Sequence, residues 1–81
     1  MNKLMVAEQI AKEFADRGSK VWTKTDEAGN VKIARVYIGS HSKPSYCEVR
    51  DDAVLIGSLS GHEYQAVMEY LNAQGIDNRR F

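Results

Sequence analysis

Apolar residues recur at helical spacing at both ends of the chain and alternate along its middle. Leu4, Ala7, Ile10, Ala11 and Phe14 fall three and four residues apart, which lines one face of a helix expected over Asn2 to Arg17. Glu8 with Lys12, and Glu13 with Arg17, stand four apart in the favourable order. Asn2 can cap the start and Gly18 can take the left-handed conformation that ends the helix. A hairpin is expected next. Lys20 to Asp26 alternates, Glu27-Ala28-Gly29-Asn30 turns, and Val31 to Ile38 alternates again. A four-residue turn places Val21 opposite Val36 and Thr23 opposite Ala34, with Lys20, Trp22, Lys24, Ile33, Arg35 and Tyr37 on the other side. A five-residue turn pairs Trp22 with Ala34 and scatters the aliphatic side chains, so the four-residue register is preferred.

Gly39 to Ser45 reads as a loop. A second hairpin follows from Tyr46 to Arg50, the turn Asp51-Asp52, and Ala53 to Ser58. In it Val49 opposes Val54 and Cys47 opposes Ile56, while Tyr46, Glu48, Arg50 and Leu55 point away. The last helix carries the clearest signals. Ser60 with Glu63 forms a capping box, and Leu59 with Tyr64 a hydrophobic staple. Tyr64, Val67, Met68 and Leu71 form the stripe, and Gly75 ends the helix so that Ile76 folds back on Leu71. Asp77 to Phe81 reads as a short flexible tail.

The expected architecture is α+β in two layers, in the order α-β-β-β-β-α. A single domain over residues 1–76 holds a four-stranded antiparallel sheet, with both helices packed on one face. That face collects Val21, Ala34, Val36, Ile38, Cys47, Val49, Val54 and Ile56. The opposite face is left open to water.

Composition narrows the chemistry. The chain has 81 residues, 43% hydrophobic and 27% charged, and eleven basic side chains balance eleven acidic ones. That describes a folded domain rather than a disordered segment, and excludes coating of nucleic acid by bulk charge. A single cysteine excludes an internal disulfide and a cysteine-based zinc site. No apolar run approaches a membrane span and none follows a basic start, so a cytoplasmic protein without a membrane role is expected. The charges are nevertheless segregated. Ser19 to Arg50 carries six basic and three acidic residues, a net +3, whereas Asp51 to Phe81 carries two basic and five acidic, a net −3.

No constellation of catalytic residues emerges. His41 and His62 are the only histidines and lack partners at ligand spacing, so neither metal nor cofactor is expected. Cys47 alternates within a strand and reads as a small core residue. Gly57 and Gly61 lack the spacing and the lysine of a phosphate loop, and Asp51 and Asp52 read as turn residues. The expectation is therefore not an enzyme. The informative feature is the open sheet face. There Trp22, Tyr37 and Tyr46 share a surface with Lys20, Lys24, Arg35 and Arg50, the residue types that dominate binding energy at interfaces.

Three functional classes are consistent with that face. The first is a small regulator or inhibitor that docks a protein partner. In size and composition the chain resembles the accessory proteins of phages and mobile elements, small anti-CRISPR proteins among them; the resemblance is one of size and style alone. The second is an RNA- or DNA-binding module that stacks bases on the aromatics. Were the two strands after Pro44 one, the order would be similar to the double-stranded-RNA-binding domain. That family starts its last helix with a lysine-rich phosphate motif, where this chain reads Ser60-Gly61-His62-Glu63. The third is a ligand-binding or enzymatic domain completed by homodimerisation.

Overall fold

The computed structural model describes residues 2–25, 34–39, 45–57 and 61–81. Helix α1 spans Lys3–Asp16. Its start is fixed by Asn2, whose Oδ1 accepts the Met5 amide proton at 3.1 Å. Its end is a Schellman turn: the Ser19 amide donates to the Phe14 carbonyl and the Gly18 amide to that of Ala15, with Gly18 at φ +94°. The buried stripe is Val6, Ala7, Ile10 and Phe14. Leu4, expected on that stripe, is exposed, and Val6 takes its place. Arg17 pairs with Glu13 as its spacing implies, but Lys12 turns to Asp16 rather than to Glu8.

Four strands form an antiparallel meander: β1 (Val21–Thr25), β2 (Ala34–Ile38), β3 (Ser45–Val49) and β4 (Val54–Gly57). The β1–β2 register differs from expectation by two residues. Val21 opposes Ile38 and Thr23 opposes Val36. An even shift keeps every side chain on its expected face. It also sets Trp22 directly across from Tyr37, where the rings stack, and Val21 across from Ile38. The turn expected over Glu27–Asn30 lies outside the described residues. In the second hairpin the register is as expected, with Cys47 opposite Ile56 and Val49 opposite Val54. The Arg50 amide donates to the Ala53 carbonyl across the Asp51-Asp52 turn. Because β3 and β4 are separate strands, the α-β-β-β-α order is not formed.

Helix α2 spans Gly61–Ala73; its expected cap and staple residues, Ser60 and Leu59, lie outside the described residues. It ends in a second Schellman turn. The Ile76 amide donates to the Leu71 carbonyl and the Gly75 amide to that of Asn72, with Gly75 at φ +71°. Ile76 packs on the core, as the sequence implies.

Residues 77–81 were expected as a flexible tail outside a four-stranded antiparallel sheet. Instead Asn78–Arg80 form β5, which runs parallel to β4 and makes a five-stranded mixed sheet in the order β1-β2-β3-β4-β5. The Val54 amide donates to the Asp77 carbonyl at 2.8 Å and the Phe81 amide to the Ile56 carbonyl at 3.0 Å. These bonds satisfy the edge of β4 that a four-stranded sheet would leave open. Both helices cover one face. Their buried residues join Ala34, Val36, Ile38, Cys47, Val49, Val54 and Ile56 in one apolar cluster.

Candidate functional site

Strand alternation sends every second side chain to the face that the helices leave uncovered. Trp22 and Tyr37 lie opposite each other, as do Tyr37 and Tyr46, and then Tyr46 and Gly57. Gly57 has no side chain, and the Phe81 ring occupies the space above it. A Cβ on Gly57 would come within 3.1 Å of both Phe81 and Tyr46. The outcome is a file of rings that crosses the whole sheet. Trp22 and Tyr37 are 5.2 Å apart at 7°, Tyr37 and Tyr46 5.9 Å at 47°, and Tyr46 and Phe81 5.6 Å at 68°.

Trp22 and Tyr37 lie in nearly parallel planes with centres 5.2 Å apart, an offset stack in which each ring shields part of the other.

The second row is charged. Glu48 is only 2% exposed, yet it lies on the uncovered face. Two arginines bury it. Arg35, directly across on β2, donates to Oε1 at 2.9 Å through Nε and at 2.8 Å through Nη2. Arg50, two residues along, donates to Oε2 at 2.7 Å through Nε and at 2.6 Å through Nη2. Both carboxylate oxygens are therefore engaged in charge-assisted bonds, the arrangement a buried charge requires. Burial by itself would raise the Glu48 carboxyl. The hydrogen bonds and charges of Arg35 and Arg50 outweigh it and hold the group below its ordinary range. The arginines also rest on rings: Arg35 lies 5.1 Å from the Tyr46 centroid and Arg50 5.8 Å from that of Phe81. Tyr37 and Glu48 both favour the charged form of Arg35.

Lys20, Trp22, Lys24, Arg35, Tyr37, Tyr46 and Arg50, the candidate site residues, thus share one face. Lys20 and Lys24 are exposed and make no ion pair among the described residues. Three contributors were missed. Glu48 was placed on the face but given no role there; the Arg35–Glu48 pairing that reveals it needs the β2–β3 register. Phe81 and Arg79 belong to the segment whose polar sequence predicts a tail. Arg79 bonds Asp52 at 3.0 Å beside the same face.

Elsewhere, Cys47 is fully buried in the core, and burial pushes its thiol up to about 12, which leaves no thiolate for nucleophilic chemistry near neutrality. His62 is exposed on the first turn of α2, and His41 lies outside the described residues. A cavity of about 250 Å³ opens between the helices, lined by Phe14, Arg17, Ile38, Glu63, Ala66 and Val67 among others. No group of three His, Cys, Asp or Glu side chains converges among the described residues, and no described helix is long and apolar enough to cross a membrane. No family model matches the chain, and neither curated proteins nor solved structures give a match.

Proposed function

We propose that this chain is a small non-enzymatic docking protein that binds a protein partner through its uncovered sheet face and acts as a regulator or inhibitor. The observation that carries this reading is the file Trp22–Tyr37–Tyr46–Phe81, held rigid by mutual ring contacts and bordered by arginines already fixed on Glu48. Rigid aromatics lose little conformational freedom on binding, and arginines held in place lose less than free ones. Tryptophan, tyrosine and arginine are the side chains on which interface energy concentrates.

The same geometry ranks the alternatives. Sheet-based recognition of single-stranded nucleic acid stacks bases on ring faces. Here Trp22 and Tyr37 already stack on each other, so part of each ring face is occupied, which favours a partner that packs beside the rings as protein surfaces do. Homodimerisation through this face would bring its cations against a second set of the same sign, which disfavours it.

The test is a comparison of variants against one purified partner. A protein captured from the native host lysate is identified, purified and titrated against the wild-type chain, against Trp22→Ser/Lys24→Glu, and against Glu8→Ala/Gln9→Ala on the outward side of α1. The reading expects binding to be lost in the sheet variant and retained in the helix variant, with circular dichroism showing both folded. Undiminished binding by the sheet variant removes this face as the docking site.

A further inference from the structure

We infer that the partner surface is acidic, and that the Arg35–Glu48–Arg50 cluster is a preset seat for one of its carboxylates. This rests on the docking reading above and adds the chemistry of the partner. The cluster holds two guanidinium groups against one carboxylate, so it keeps a net positive charge at the centre of the face. Each guanidinium is bonded to Glu48 through Nε and one terminal nitrogen. A guanidinium has five N–H donors, so each retains further donors after bonding Glu48, Arg35 being hydrogen-bonded to Tyr37 as well. The side chains are 35% and 53% exposed, so those donors remain within reach of a partner.

Three features set this apart from ordinary surface arginines. Glu48 fixes the spacing of the two groups from below. The Tyr46 and Phe81 rings support them from the side. Lys20 and Lys24, on the same face, add charge that no described residue neutralises. A planar fork held in advance suits the two oxygens of a carboxylate. The rings of Trp22, Tyr37 and Tyr46 beside it suit apolar side chains flanking that carboxylate. The segment from Ser19 to Arg50 carries a net +3, so charge beyond the contact steers in the same direction.

Trp22 is the only tryptophan, so its emission reports on this face alone. The folded chain is titrated at low ionic strength with three probes: a glutamate-rich peptide carrying one phenylalanine, the same peptide with lysine for glutamate, and oligouridylate of matching charge. The expected result is a saturable Trp22 response to the acidic peptide alone, suppressed by salt. Lys24→Glu weakens it about fivefold, the effect of reversing one exposed charge at the contact. Arg50→Gln, which leaves Arg35 on Glu48, weakens it by at least as much. Lys24 is exposed and unpaired among the described residues, so its reversal reads binding rather than folding. An equal or stronger response to oligouridylate overturns the inference in favour of nucleic acid. A response to the lysine peptide, or to none of the three, overturns it as well. If the peptides fail while the purified partner still binds and is lost in Trp22→Ser/Lys24→Glu, docking stands and the acidic character of the partner falls.

Discussion

Replacing Glu48 with glutamine isolates the charge at the centre of the open face, because the amide is nearly isosteric and does not titrate. In the wild-type chain each carboxylate oxygen accepts from a different arginine. The amide keeps one acceptor oxygen and turns an NH₂ group towards the other guanidinium, so at least one charge-assisted bond is lost and two cations face each other without a counter-charge. A hydrogen bond to a charged group contributes about 1.5–3 kcal/mol. Removing one partner of a fully buried pair costs about 3–5 kcal/mol. Arg35 and Arg50 are 35% and 53% exposed, so water relieves part of that loss. The expected destabilisation is therefore near the lower figure, about 2 kcal/mol at pH 7. For a domain of this size that lowers the thermal midpoint by roughly 8–16 °C. The pH dependence gives a second check. The Glu48 carboxyl titrates below its ordinary value of 4.5 in the folded state. The native chain then binds fewer protons than the unfolded one in acid, so its advantage is complete above the unfolded range and fades as pH falls through the folded value. Urea unfolding of both chains from pH 7 to pH 3 should show a constant gap at the upper end that narrows as pH falls below the unfolded range. A gap as wide at pH 3 as at pH 7, or no gap at pH 7, would refute the assignment of Glu48 as the ionised centre of the cluster.

Three further outcomes are expected. Phe81→Ala removes the ring above Gly57 and its edge contact with Tyr46; since Phe81 is 57% exposed the cost is about 1 kcal/mol, read as a fall in thermal midpoint, and an unchanged midpoint would mean the tail does not contribute to the fold. Gly75→Ala meets no neighbouring atom but forces alanine to φ +71°, for a net loss of about 1 kcal/mol in chemical denaturation; a stabilised variant would show that the turn re-forms without the left-handed residue. Cys47, buried and with its thiol pushed up to about 12, should react with a thiol reagent at pH 8 only as fast as the domain opens, accelerating with urea; rapid stoichiometric labelling of the native chain contradicts this.

Much of the fold was legible because period and punctuation agreed. Asn2 marks a helix start by its capping side chain, Gly18 and Gly75 mark helix ends by a left-handed conformation that few other residues adopt, and the short Asp51-Asp52 turn leaves the second hairpin one register. Sorting of faces in the first hairpin survived an error of two residues because the side-chain period in a strand is two. What stayed hidden depended on distant pairing. The β2–β3 register is set through a loop that the sequence leaves open in length, and without it Glu48 is one more polar residue on a wet face rather than the anchor of two arginines. The last strand is three residues long and wholly polar, so no periodicity announces it. It forms because β4 has backbone groups left to satisfy and α2 returns the chain beside them. Leu4 was lost from the predicted stripe for a simpler reason: the buried line runs through Val6, Ala7, Ile10 and Phe14, and Leu4 lies to the side of it.

Strand β1 forms one border of the sheet, with Lys20 beside it and Lys24 within it, both bare to solvent. A border of this kind invites another chain to add on, and repeated addition makes filaments. Two copies approaching edge to edge would oppose ammonium groups, which discourages such growth. The lysines proposed to attract an acidic partner would therefore also keep copies of the chain from polymerising, and a modification that erased their charge would remove the guard against filament growth along with the proposed recognition.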